Sequence, residues 1–162
     1  TPSTAPAERT VPPTVEKPKW RYIVLHHSAT TKGNAKIFDT YHREEKGFPE
    51  GLAYHFVIGN GSNSKDGQVE TGARWEKQIT GVHCFDSTMN QQSIGICLVG
   101  NFYENKPTEK QTAALVKLLN ELCRKYNIPD NNIITHKDVD KAKTDCPGKY
   151  FPLAEIKTRR AH

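Results

Sequence analysis

His136 and Cys146 stand on one stretch, "ITHKDVDKAKTDCPGKYFP", separated by a segment full of lysine and aspartate. An imidazole and a soft thiolate are ligands that zinc prefers, but two ligands do not make a site. Further donors stand at His26 and His27, which close the apolar run "WRYIVLHHS". A histidine at a strand end is more often a packed core or surface residue than a ligand, so company has to change those odds. Side chains alternate across a sheet, so only one of this pair faces a given site, and periodicity does not choose between them. Either one, with His136 and Cys146, gives a His, His, Cys set. Three protein ligands leave the fourth zinc position open, which is the catalytic rather than the structural pattern. The same residues permit a metal-free cysteine hydrolase, with Cys146 as nucleophile beside His136. The Pro147–Gly148 pair after Cys146 offers no nucleophile elbow and no assured helix N-terminus to activate the thiol, so this reading ranks below the metal site.

Several elements must position these donors. "WRYIVLHHS" is β-branched and bounded by polar residues, which predicts a buried strand. "NAKIFDTYHREEKG" predicts a helix with Asn34 as N-cap, Ile37, Phe38 and Tyr41 at helical spacing, and Gly47 as a stop. "AYHFVIGNG", the short "GQVETG" and the very apolar "SIGICLVGNF" predict three more strands. In "PTEKQTAALVKLLNELCRKYNIP", Thr108 and Gln111 form a capping box. Leu115, Leu118, Leu119, Leu122 and Tyr126 make one apolar stripe, ended by Asn127 and Pro129. A final strand, "NIIT", delivers His136. Strands interspersed with helices predict a single α/β domain around one mostly buried sheet.

At 162 residues the chain suits one domain with a core that needs no staples. No apolar run approaches the roughly 18 residues that would span a bilayer. The net charge of +5 favours anionic surroundings, yet the positive residues are scattered and form no stripe with interleaved aromatics. Nucleic acid is therefore not expected as a partner. Four cysteines are too few and too irregularly spaced for a disulfide framework; with Cys146 as a ligand, at least one of Cys84, Cys97 and Cys123 stays unpaired. Residues 1–19 hold five of the ten prolines and few large apolar side chains, which predicts a disordered tail or linker ahead of a domain at 20–162. No signal segment is present, but such a head commonly follows a removed export signal, so an exported protein is expected.

"VLHHSAT", "AYHFVIGNG", "SIGICLVGNF" and "THKDV…DCPG", in this order over about residues 20 to 157, resemble the zinc-dependent N-acetylmuramoyl-L-alanine amidases, a family that includes phage amidase lysozymes and peptidoglycan recognition proteins. The resemblance implies that family's fold, a mixed sheet flanked by helices, and hydrolysis of the amide between N-acetylmuramic acid and L-alanine by zinc-activated water. It implies His26, two positions before Ser28, as the first zinc ligand, with His136 as the second and Cys146 as the third. Asp145 is a rival for the third place, because some relatives use aspartate. It further implies Tyr54 and Thr144 near the scissile amide, with Lys143 as a substitute for Thr144. Packing against Phe56 and Ile58 is the blander account of Tyr54. His83 and Asn90 are implied along the substrate groove, in a loop about two residues longer than usual. Cys97 stands where some relatives carry a glutamate, which removes one candidate proton acceptor. The cofactor implied is Zn2+ and the partner a peptidoglycan or muropeptide substrate; separately, a monomer is expected. The rival within the family is a binding module that keeps the groove but lacks the cysteine, and with it the metal.

Overall fold

The apolar run that ends in the histidine pair forms β1 (Tyr22–His27), buried along nearly its whole length. The computed structural model describes residues 17–161, so most of the expected N-terminal tail lies outside the described residues. β2 (Phe56–Ile58), β3 (Val69–Thr71), β4 (Ser93–Leu98) and β5 (Ile133–Thr135) complete one sheet in the order β3-β2-β4-β1-β5 among the described residues. β1 lies between β4 and β5, parallel to both; β2 is parallel to β4, and only the edge strand β3 runs antiparallel. The sheet is mixed and its central strands are covered on both faces, as parallel strands require. The chain is a single α/β domain of this kind.

Helix α1 (Ala35–Glu44) follows β1, and the short α2 (Ala73–Glu76) and α3 (Ser87–Asn90) lie between β3 and β4. Alternation along the strands sorts the two faces. Ile23, Leu25, Phe56, Ile58, Ile94, Ile96 and Leu98 join a large cluster with Leu115, Leu118, Leu119 and Leu122 of α4 (Glu109–Tyr126). That helix carries the capping box between Thr108 and Gln111, and Asn127 closes it in the left-handed conformation. The opposite face holds a smaller cluster of Phe38, Leu52, Val57, Cys97 and Val99. His26 follows Val24 in alternation and points to this thinner side, where a site can open to solvent.

One expectation changes here, and one helix buries less than its apolar spacing offers. The helix capped by Asn34 forms as α1 (Ala35–Glu44), but of its three apolar positions only Phe38 is buried; Ile37 and Tyr41 are 46% and 51% exposed. The stripe was half core and half groove wall: Ile37 and Tyr41 line a cavity with Ser28, Lys32 and Tyr54. Tyr54 does not share a face with Phe56 and Ile58. β2 begins only at Phe56 and the chain bends at Ala53–His55, so alternation does not extend back to Tyr54, which packs with the Phe38 and Cys97 cluster instead. A C-terminal helix, α6 (Leu153–Arg160), packs against α4; it buries Ile156 alone, too little to show as a periodic stripe in sequence.

His55 anchors β4 from the side. Its Nδ1 accepts from Gly95 N at 3.0 Å, and its Nε2 therefore carries the proton and donates to Ile79 O at 2.9 Å. The ring is wedged against Trp20 and Trp75, and burial lowers its pKa to about 4. Between pH 6.5 and 4 the unfolded chain binds this proton and the folded chain does not, so stability falls as pH falls, by at most about 1.4 kcal/mol per pH unit from this residue. Urea midpoints of the metal-free chain are expected to drop between pH 7 and 5, and His55→Gln should flatten that slope. An unchanged slope in the variant would refute the assignment.

Candidate metal centre and groove

The register of the two parallel strands builds the centre. Leu25 of β1 pairs with Thr135 of β5, so the next residues, His26 and His136, leave the sheet side by side at its C-terminal edge. This is the edge where open α/β sheets hold ligands. The two rings lie 4.6 Å apart, centroid to centroid. Thr135 caps α5 (His136–Val139), its hydroxyl accepting from Asp138 N while the Asp138 carboxylate accepts from Thr135 N. The loop after α5 returns Cys146, held where Lys137 N donates to Cys146 O at 2.9 Å and His27 N donates to Cys146 Sγ at 3.4 Å. Gly148 follows at φ +96°, where a β-carbon would collide with the Phe102 backbone. One donor atom each from His26, His136 and Cys146 lies within 4.8 Å of the others. Asp145 goes elsewhere: its exposed carboxylate is 3.2 Å from Lys137 Nζ.

Hydrogen bonding fixes which ring nitrogens are free. His83 Nε2 faces the Ser93 carbonyl at 3.4 Å and so carries its proton, which makes Nδ1 of a neutral His83 an acceptor. His26 Nε2, 2.9 Å from that Nδ1, must donate, leaving the His26 Nδ1 lone pair on the side of Cys146 Sγ at 3.9 Å. His136 Nε2 likewise donates to Asp140 Oδ2 at 2.8 Å, leaving its Nδ1 free. Burial keeps His26 well below the usual histidine range, and it lowers His136 despite the opposing pull of Asp140. Burial also pushes the Cys146 thiol up to about 12. At neutral pH the set is thus two neutral imidazoles and a thiol that ionises only against a nearby cation. That donor chemistry fits zinc. It does not fit a free cysteine nucleophile, which needs a lowered pKa.

The remaining expected residues take different places around these donors. Tyr54 stands at the centre: its ring is 5.1 Å from that of His26, and it lines two cavities of about 410 and 470 Å³ that flank it. Burial raises its phenol well above the usual range, so it stays protonated. His83 also lines the larger cavity but is buried and oriented toward His26, while Asn90 spends its amide on both backbone groups of Cys84, at 2.9 and 2.8 Å. Thr144 Oγ1 accepts from Cys146 N at 3.0 Å. Lys143 is exposed, with Nζ 5.0 Å from the Phe85 ring. Cys97 is fully buried with its thiol pushed well up, a packing residue. All four cysteines are free thiols.

Three more residues stand at this candidate site: His42, which by sequence is an ordinary surface or core histidine, and Phe85 and Asp140, which have no role assigned by sequence. His42 borders both cavities, its Nδ1 accepting from Ala53 N at 3.0 Å. Phe85, 63% exposed, stacks beside His136. Asp140 holds the second histidine, and its spacing from His136, one helical turn, was a signal available in the sequence.

Among the described residues, no helix is long and apolar enough to cross a membrane. The chain is 32% identical over 150 residues to peptidoglycan-recognition protein 2 of Holotrichia diomphalia, covering 86% of this chain and 73% of that one. It is 31% identical over 128 residues to peptidoglycan recognition protein 1 of Mus musculus, covering 74% and 65%. Among solved structures it resembles the N-acetylmuramoyl-L-alanine amidase LysC from Clostridium intestinale, with 33% identity, a TM-score of 0.75, and 87% and 85% of the two chains covered. It also resembles peptidoglycan recognition protein-LE in complex with tracheal cytotoxin, with 25% identity, a TM-score of 0.68, and 91% and 87% covered. The family model for N-acetylmuramoyl-L-alanine amidase matches residues 16–149, and the chain belongs to that family.

Proposed function

We propose that the protein is a zinc-dependent peptidoglycan hydrolase that cleaves the amide between N-acetylmuramic acid and the L-alanine of the stem peptide, acting on cell wall outside the cytoplasm. The observation that carries this reading is the convergence of one donor atom each from His26, His136 and Cys146 at the C-terminal edge of the sheet. Zinc held there supplies Lewis acidity and a water nucleophile at neutral pH. The two cavities flanking Tyr54 accommodate the substrate on either side of the centre. Tyr54 keeps its proton and donates to the oxygen of the scissile carbonyl as it gains charge, a contribution of about 3 to 4 kcal/mol for a well-placed donor. Thr144, whose hydroxyl holds the Cys146 amide, and Lys143, whose ammonium lies over the Phe85 ring of the groove wall, serve as further donors. The relative solved with tracheal cytotoxin, a monomeric diaminopimelic acid-type peptidoglycan, supports a muropeptide-sized ligand for this groove.

The second reading, a binding module without catalysis, draws on the curated relatives named as recognition proteins. Retention of Cys146 beside both histidines favours the enzyme. The test is elemental analysis with an assay for new L-alanine amino termini from purified peptidoglycan. One zinc per chain is expected, with hydrolysis lost on chelation and restored by zinc. Zinc-free protein after reconstitution, or hydrolysis that survives chelation, would refute the metalloenzyme. Tight peptidoglycan binding without hydrolysis by the zinc-loaded chain would favour the binding module.

A further inference from the structure

Asp140 is a buried carboxylate with no Lys or Arg at ion-pair distance among the described residues; the neutral His136 ring donates to it instead. Buried charge is costly unless paired and hydrogen-bonded, so its retention asks for a role. The neighbouring Asp138 is already spent on the cap of α5, which leaves Asp140 alone facing the histidine. One oxygen, Oδ2, takes both of its bonds: His136 Nε2 at 2.8 Å and Phe85 N at 2.9 Å. Phe85 belongs to the loop that walls the larger cavity, and its ring lies 5.9 Å from that of His136 at an interplanar angle of 25°. One residue earlier, Asn90 grips the Cys84 backbone from both sides.

We infer that Asp140 is a positioning residue: it fixes the tautomer and ring angle of His136 and ties the groove wall at Phe85 to the metal centre. The inference rests on the zinc reading above. A carboxylate only accepts, so the proton stays on Nε2 and the Nδ1 lone pair is presented to the centre in one orientation. Because the same oxygen holds Phe85, a shift of that wall moves the histidine, and a change at the histidine moves the wall.

The test uses the full chain with Asp140→Ala and Asp140→Asn, and reads zinc affinity by competition with a chromophoric chelator under conditions where circular dichroism shows both variants folded. Asp140→Ala is expected to bind zinc about 10- to 100-fold more weakly, the usual effect of losing such a partner. Asp140→Asn keeps an oxygen that accepts both bonds and is expected to recover most of that loss. Hydrogen exchange at the Phe85 amide is expected to quicken in the alanine variant alone. Native zinc affinity in Asp140→Ala, equal losses in both variants, or unchanged exchange at Phe85 would overturn the inference. A native chain that takes up no zinc would instead refute the metalloenzyme itself, so the two failures are distinguishable.

Discussion

His26→Ala is expected to lose stoichiometric zinc and hydrolysis while remaining folded, and His27→Ala is expected to keep both at a cost in stability. The adjacent histidines leave β1 on opposite faces. His26 points to the thin side of the sheet, among His83, His136 and Cys146. His27 points the other way, and its Nδ1 accepts from Phe102 N at 3.1 Å in a buried setting. Removing a ligand should reduce activity by more than the 10- to 100-fold typical of an outer-shell change. Removing His27 leaves the Phe102 amide without its partner, which costs about 1–3 kcal/mol and should show as a lowered melting temperature with normal zinc content. Metal analysis and thermal unfolding of the two variants decide the matter. If His27→Ala is the metal-free protein, the assignment of faces is wrong. If both keep zinc, the ligand set is wrong.

Gly95→Ala should damage the centre from within the sheet. A β-carbon at Gly95 would stand 2.5 Å from His83 Cδ2 and 2.6 Å from Cγ, closer than a real contact permits. The ring has to move, and its Nδ1 is the atom that accepts from His26 Nε2. Glycine inside a strand often marks such a close approach, and here the visitor is the side chain that orients a ligand. We expect zinc affinity to fall about 10- to 100-fold, and overpacking to cost about 1–3 kcal/mol of stability. The double variant Gly95→Ala, His83→Ala should regain stability, because the clash is gone, without regaining zinc affinity. Native zinc binding in Gly95→Ala would show that His83 does not support His26.

The five strands and the helices α1 and α4 were legible because their signals are local. The capping box at Thr108 and Gln111 and the leucine stripe of α4 state in one segment what the helix will bury, and both are present. The run to His27 and the "SIGICLVGNF" segment are apolar enough that only central strands could hold them. α1 was legible as a helix but not in its burial. Its pattern specifies an apolar face without saying whether core or groove lies beneath, and Ile37 and Tyr41 face the groove. Tyr54 was placed on the wrong face because alternation was extended across a bend that no local residue announces.

The sequence by itself supplied the candidate donors, His136, Cys146 and one of the pair His26 and His27, at the ends of segments that must be strands or the loop beyond them. Tertiary structure alone decided their arrangement. The parallel pairing of Leu25 with Thr135 carries His26 and His136 to one edge, and no pattern within either segment encodes that register. His83 and Gly95 act through contacts between residues distant in sequence or through space left empty, and Asp140, whose spacing from His136 was legible, reaches Phe85 only in the folded chain. Such effects arise only when the chain has folded, because burial and hydrogen-bond geometry belong to the packed molecule and not to the residue types.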